Sequence, residues 1–236
     1  MELLQTALDD PHAEPCGRCS VCRGALPEGL LAAPDPATVR TVAALLRSTT
    51  TVLEPRKMWP GGAFGARGRI APDELAEEGR VLIHADAPEW AEARAVLAGP
   101  DRPLGEEVLE ASVGLLSRWR QSWAARPEVV VTLPAVGRAA AAASVADHLA
   151  GVGRLDRVDL TGVRPVPGDP PSGEEAAHWR DALAGPVEQA GGAVRGRAVL
   201  LVVDATRSGW AVTVAAALLR RAGASVVLPL VLHRTV

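Results

Sequence analysis

Lysine is nearly missing from this 236-residue chain: Lys57 is the only one, and arginine supplies the rest of the 25 basic residues. Tyrosine is absent and phenylalanine occurs once, while alanine is abundant. This bias reads as codon usage in a GC-rich genome, yet the lysine count excludes a class of function. A nucleotide-binding P-loop needs a Gly-Lys-Ser/Thr run whose lysine reaches the β and γ phosphates. Lys57 lies between Arg56 and Met58, so the chain holds no standard ATP-driven motor. Long apolar runs are missing too. Ala198 to Val203 and Val226 to Leu232, the latter broken by Pro229, fall far short of the roughly 20 residues that span a bilayer. Met1 to Asp10 carries three acids and no base, unlike a secretory signal, so the expected location is cytoplasmic with no membrane partner. No two histidines stand at metal or triad spacing, and no G-x-S-x-G run is present. What is there is a globular composition, 48% apolar with a net charge of -3.

Three segments follow from the patterning. Residues 1–30 read as a helix tail ended by Asp9-Asp10-Pro11 and a cysteine cluster. Residues 31–125 read as a linker and mixed α/β region. Its expected elements are a helix over Thr38 to Leu46, extended chain at Thr49 to Leu53 and a loop from Pro55 to Ile70. An acidic helical turn at Asp73 to Glu78, a strand at Arg80 to His84 and helices at Pro88 to Leu97 and Leu104 to Trp123 complete it. From Arg126 the pattern becomes regular. Strands are expected at Glu128 to Leu133, Asp156 to Leu160, Arg197 to Val203 and Ala224 to Leu232. Helices at Arg138 to Ala150, Glu174 to Leu183 and Trp210 to Ala222 alternate with them. Continuous apolar strands between helices imply an α/β fold with a parallel sheet covered on both faces, over residues 126–236.

All three cysteines, Cys16, Cys19 and Cys22, fall within seven residues at C-x2-C-x2-C spacing. A structural zinc site takes four thiolate or imidazole ligands, and such turns supply them. His12 is one candidate for the fourth; the other lies before Met1. The run Leu3-Leu4-Gln5, Asp9-Asp10-Pro11 and Pro15-Cys16-Gly17-Arg18-Cys19-Ser20-Val21-Cys22 resembles the zinc-binding subdomain of RecQ-family DNA helicases. In that family the first cysteine sits on a helix roughly four to five turns ahead of the cluster. The resemblance therefore implies Zn2+ at an incomplete site, in a truncated or mis-started piece of a longer protein.

Between Pro55 and Ile70 the bases Arg56, Lys57, Arg67 and Arg69 occur without an acid, and Trp59 and Phe64 are interleaved. Arginines on a loop contact phosphates and aromatics stack on bases, so Arg56, Lys57, Trp59, Arg67 and Arg69 are the DNA-binding candidates. The alternative is a solvated linker with Trp59 in the core. The run Glu54 to Pro60 also resembles a segment after the zinc module in actinobacterial-type members of the same helicase family.

Val199-Leu200-Leu201-Val202-Val203-Asp204-Ala205-Thr206-Arg207-Ser208-Gly209-Trp210-Ala211 resembles the diphosphate-sugar motif of type I phosphoribosyltransferases. In that motif acids at a strand end bind ribose hydroxyls, and loop amides with a helix N-terminus hold phosphate. The resemblance implies an anionic, nucleotide-like ligand, with Asp204 on hydroxyls and Arg207, Ser208 and Gly209 on phosphate. Val203 replaces the first acid and Ala211 the closing hydroxyl, and Ala135 to Ala143, in the pyrophosphate-loop position, is mostly alanine. No catalytic residue is assigned. The alternative for Asp204 is a helix cap or loop residue.

The order of zinc module, linker and transferase-like domain implies the accessory C-terminal part of a RecQ-type DNA helicase, nucleoid-associated and acting in unwinding, recombination and repair. Its DNA partner would be met through the helicase core that this chain lacks, with the 55–70 loop as a candidate second contact. The alternative is a free-standing phosphoribosyltransferase-like protein similar to the ComF type.

Overall fold

A computed structural model describes residues 2–49 and 51–235. The chain divides into two units, residues 1–44 and 45–236. The first contains α1 (Glu2–Ala7), α2 (Ser20–Arg23) and most of α3 (Pro36–Ser48), and none of these helices buries a residue. Asp35 starts α3 by accepting from the Ala37 and Thr38 amides at 3.2 and 2.7 Å, which satisfies N–H groups that a helix start leaves open. The expected apolar stripe of α3 is present, but Val39, Val42, Leu45 and Leu46 are all exposed.

The second unit is built on one six-stranded sheet. In chain order its strands are β1 (Thr51–Leu53), β4 (Gly79–His84), β5 (Val129–Leu133), β6 (Asp156–Asp159), β7 (Ala198–Thr206) and β8 (Val226–Arg234). They lie in the order β1-β4-β8-β7-β5-β6. All neighbours are parallel except β1, which runs antiparallel to β4. β4 belongs to this sheet, beside β8, so the α/β unit takes in chain well before residue 126. The chain divides near residue 45, and residues 51–84 add β1 and β4 to the sheet of residues 126–236.

Strand alternation sends side chains to two cores. Val129, Val131, Leu133, Val199, Leu201 and Val203 meet α7 (Ser172–Val194) and α8 (Trp210–Arg221) on one face. Val130, Leu200, Val202, Leu228, Leu230 and Leu232 meet α4 (Ala91–Ala98), α5 (Glu106–Trp119) and α6 (Ala139–Gly153) on the other. Every residue of β7 is buried, as a central strand between two helical layers requires. Moving from β5 to β6 crosses the sheet one way over α6. Moving from β6 to β7 and on to β8 crosses it the other way over α7 and α8. The loops after β5 and β7 therefore diverge, and a crevice opens between them at the carboxyl ends of the strands.

Three sequence expectations change. The 55–70 segment is a hairpin, β2 (Met58–Pro60) against β3 (Arg67–Arg69), closed by a turn around Gly62–Phe64. Asp73 to Glu78 is not helical; a turn ends by Glu74 and the chain runs directly into β4. Helix α7 continues through Gly185-Pro186 to Val194, because Ala176, Trp179, Leu183, Val187, Ala190 and Val194 keep one buried stripe at helical spacing. That burial outweighs the backbone hydrogen bond Pro186 forgoes. Among the described residues no helix is long and apolar enough to cross a membrane.

Candidate functional sites at the cysteine cluster and the sheet crevice

The cysteine turn folds as its spacing implies. Gly17 takes a left-handed conformation (φ 69°), and Cys19 caps α2. Amides point at sulfur: Cys19 N–H donates to Cys16 Sγ and Cys22 N–H to Cys19 Sγ, each at 3.5 Å. The three sulfurs lie within 4.8 Å of one another, close enough to share a metal ion. Backbone N–H groups of Arg18 and Cys19, then the Cys19 side chain, lower the Cys16 thiol to about 6, while the Cys22 thiol is raised. A thiol ionised near neutrality is what a metal ligand needs. Among the described residues no fourth side-chain donor joins the three, so His12 is not brought to the cluster.

At the crevice, Asp204 is fully buried at the end of β7. Its carboxylate crosses to the opposite wall. It accepts from the Val136 amide at 3.1 and 3.2 Å, from the Arg138 amide at 2.8 Å, and from its neighbour Ala205 at 2.7 Å. Burial pushes its pKa up to about 6, against the pull of those amides. Asp204 thus ties the β5–α6 turn to β7. It lies within β7 rather than in a loop or at the start of α8, and presents no accessible oxygen to a ribose.

The rest of the Thr206–Gly209 loop is also engaged internally. Arg207 forms an ion pair with Asp169, with Nη1 2.8 Å from Oδ2. Ser208 Oγ donates to Glu175 Oε1 at 2.5 Å and accepts from Trp210 N at 3.1 Å. The Gly209 amide donates to Thr206 Oγ1 at 3.0 Å. Gly209 holds φ 83°, a conformation that favours glycine and turns the chain into α8. A cleft of about 360 Å³ beside this loop is lined by Val136, Asp169, Glu175, Trp179, Thr206 and Arg207, among others. Two carboxylates and one already paired guanidinium give it no surplus positive charge. Asp169 and Glu175 occupy the hydrogen-bonding positions expected for a phosphate.

The hairpin divides the DNA candidates. Trp59 is buried and stacked on Phe64, with ring centroids 4.7 Å apart, so its faces are closed to a base. Arg56 turns inward: its Nε and Nη2 donate to Ser208 O at 3.0 and 2.5 Å, and its guanidinium lies 4.2 Å over the Trp210 ring. Lys57, Arg67 and Arg69 remain exposed. Arg67 and Arg69 stand opposite Pro60 and Met58 in the ladder, on the outer face. Neither arginine has a side-chain partner among the described residues. The hairpin is anchored by Arg180, which donates to Phe64 O at 2.7 Å. It also packs tightly on Gly173, where a Cβ would come within 2.9 Å of Gly61 O.

Sequence reasoning missed Asp169, Glu175 and Arg234, the last beside Thr206 in the β7–β8 ladder. Each is remote in sequence from the motif it meets, and none carries a local signal. No family model, curated protein or solved structure matches the chain. The class defined here is a three-layer α/β domain with a self-occupied crevice, joined to a three-thiol turn.

Proposed function

We propose that the chain is a non-catalytic, DNA-contacting accessory region of a RecQ-type helicase, with a zinc-stapled turn and a phosphoribosyltransferase-like domain. The carrying observation is the hairpin: Lys57, Arg67 and Arg69 are exposed on a chain with net charge -3, and both arginines lack internal partners. Guanidinium groups held on a short, anchored hairpin are suited to phosphate contacts, which position a protein on DNA without reading sequence. The three-thiol turn supports the helicase resemblance, because its soft donors suit Zn2+. If bound, zinc supplies a structural crosslink. The internal pairing of Arg207 and Ser208 supports a non-catalytic role for this loop.

Anisotropy with labelled single-stranded and duplex DNA tests the contact. Binding is expected to weaken as salt rises, with a shallower salt slope in Arg67→Glu/Arg69→Glu. Equal affinity of that variant and the native chain removes the hairpin from the reading. The reading frame upstream of the Met1 codon tests the helicase association. A frame encoding a cysteine and helicase motifs supports it. A stop codon and ribosome-binding site favour the free-standing alternative.

A further inference from the structure

A second cleft of about 310 Å³ lies on the other side of the Thr206–Gly209 loop, between the segment after β1, the first turns of α8 and β8. Its two ends differ in make-up: Arg56 and Arg234 with Glu54 at one, Glu74 and Glu77 at the other, while Arg207, also in the lining, is paired with Asp169. Arg56 is fixed at the α8 start through Ser208 O, and Arg234 stands at the carboxyl end of β8, beside Thr206 in the ladder. Among the described residues the Arg234 side chain has no hydrogen-bond or ion-pair partner. Arg56 gives Ser208 two of the five N–H groups that a guanidinium carries. Partial burial lowers the Arg56 pKa; Glu175 opposes that shift and the Arg234 charge adds to it, so the two guanidinium groups sense each other.

The opposite end is acidic. The Glu77 amide bonds Val227 O, near the start of β8 and seven residues before Arg234. Glu74 is ion-paired with Arg221 at the far end of α8. Between the ends the lining is apolar, with Leu53, Ile70, Val212 and Pro229. A volume of this size suits a small organic molecule.

We infer that this cleft binds a small organic anion with one phosphate or carboxylate head, held by Arg56 and Arg234, and an apolar body along Val212 and Pro229. Charge-assisted hydrogen bonds from paired guanidinium groups favour such a head. Glu74 and Glu77 disfavour a second anionic group at the far end, so a one-headed anion is preferred over a diphosphate. The site lies across the Thr206–Gly209 loop from the crevice closed by Asp169 and Glu175, sharing Thr206 and Arg207 with it, and does not use Arg67 or Arg69.

Calorimetric titration of the full chain with phenyl phosphate, inorganic phosphate and pyrophosphate tests the inference. Phenyl phosphate is expected to bind best of the three. Arg234→Ala should weaken it about tenfold or more, the range for losing a charged hydrogen bond, and Arg67→Glu/Arg69→Glu should leave it unchanged. Arg234→Gln, with circular dichroism on both variants, guards against misfolding. Three outcomes overturn the proposal: no phenyl phosphate binding at millimolar concentration, binding indifferent to both Arg234 variants, or pyrophosphate binding tighter than phenyl phosphate. Loss of phenyl phosphate binding in the hairpin variant alone would assign the anion to the DNA surface and also overturn it.

Discussion

Asp204 stands where the resemblance places a ribose ligand, yet it faces Val136, Arg138 and Ala205 amides inside the protein. Removing it orphans buried donors, so Asp204→Ala is expected to cost about 1–3 kcal/mol of stability, read by denaturant unfolding. Asparagine restores one acceptor oxygen but turns an NH2 group toward donors, and does not rescue fully. The pH dependence follows from the raised pKa. Burial takes Asp204 from 3.8 to about 6 in the folded state, so between these values the folded protein binds the extra proton. Its contribution to stability is greatest below about pH 4 and declines as pH rises through 6, by about 3 kcal/mol in all. Other carboxylates titrate in the same window, so the measurement is the stability gap between native chain and Asp204→Asn. That gap should be larger at pH 4 than at pH 7; a gap constant with pH would show that Asp204 titrates normally.

At the scale of elements, much was legible where periodicity was strong. β5, β7, α8 and β8 fall within a few residues of their expected places, because an apolar strand buried on both faces has no polar alternative. The cysteine turn was legible for a different reason: its chemistry is local, and three thiols six residues apart at most must converge. The hairpin was not legible. Glycine and arginine dominate its sequence, and its order comes from Trp59 and Phe64 packing in the core and from Arg180, more than a hundred residues away. The plugging of the loop was hidden for the same reason, since Asp169, in the loop before α7, and Glu175, in its first turn, are more than thirty residues from the groups they hold. For the cysteine element, three donors among the described residues give an expected outcome. Zinc should bind the isolated chain weakly or below one per molecule. A chain extended by about one helix that supplies a fourth thiol should hold one zinc tightly. One tight zinc per molecule in the present chain, by metal analysis after dialysis, would show that the fourth ligand is already at hand.

For the whole molecule, the fold offers a crevice where α/β proteins bind ligands, and the chain has closed it with its own groups. This separates the possession of a parallel α/β sheet with such a crevice from the performance of any reaction in it. Arg207 is held by Asp169, Ser208 by Glu175, and Asp204 by backbone amides, so a phosphoribosyl diphosphate must break three sets of internal bonds to enter. It would then meet Val203 and Ala211 where the resembled motif carries an acid and a hydroxyl. Steady-state assays with phosphoribosyl pyrophosphate and a purine or pyrimidine acceptor are therefore expected to release no pyrophosphate. Asp169→Asn/Glu175→Gln should admit an anion more readily but still give no turnover, because loosening the plug does not restore the missing acid. Assays with ATP and DNA should likewise release no phosphate, since Lys57 lies on the hairpin and not in a P-loop. Turnover to pyrophosphate by the native chain would show that the crevice opens in solution and that one acid suffices. Turnover only in the double variant would instead identify Asp169 and Glu175 as an inhibitory strap over a competent site.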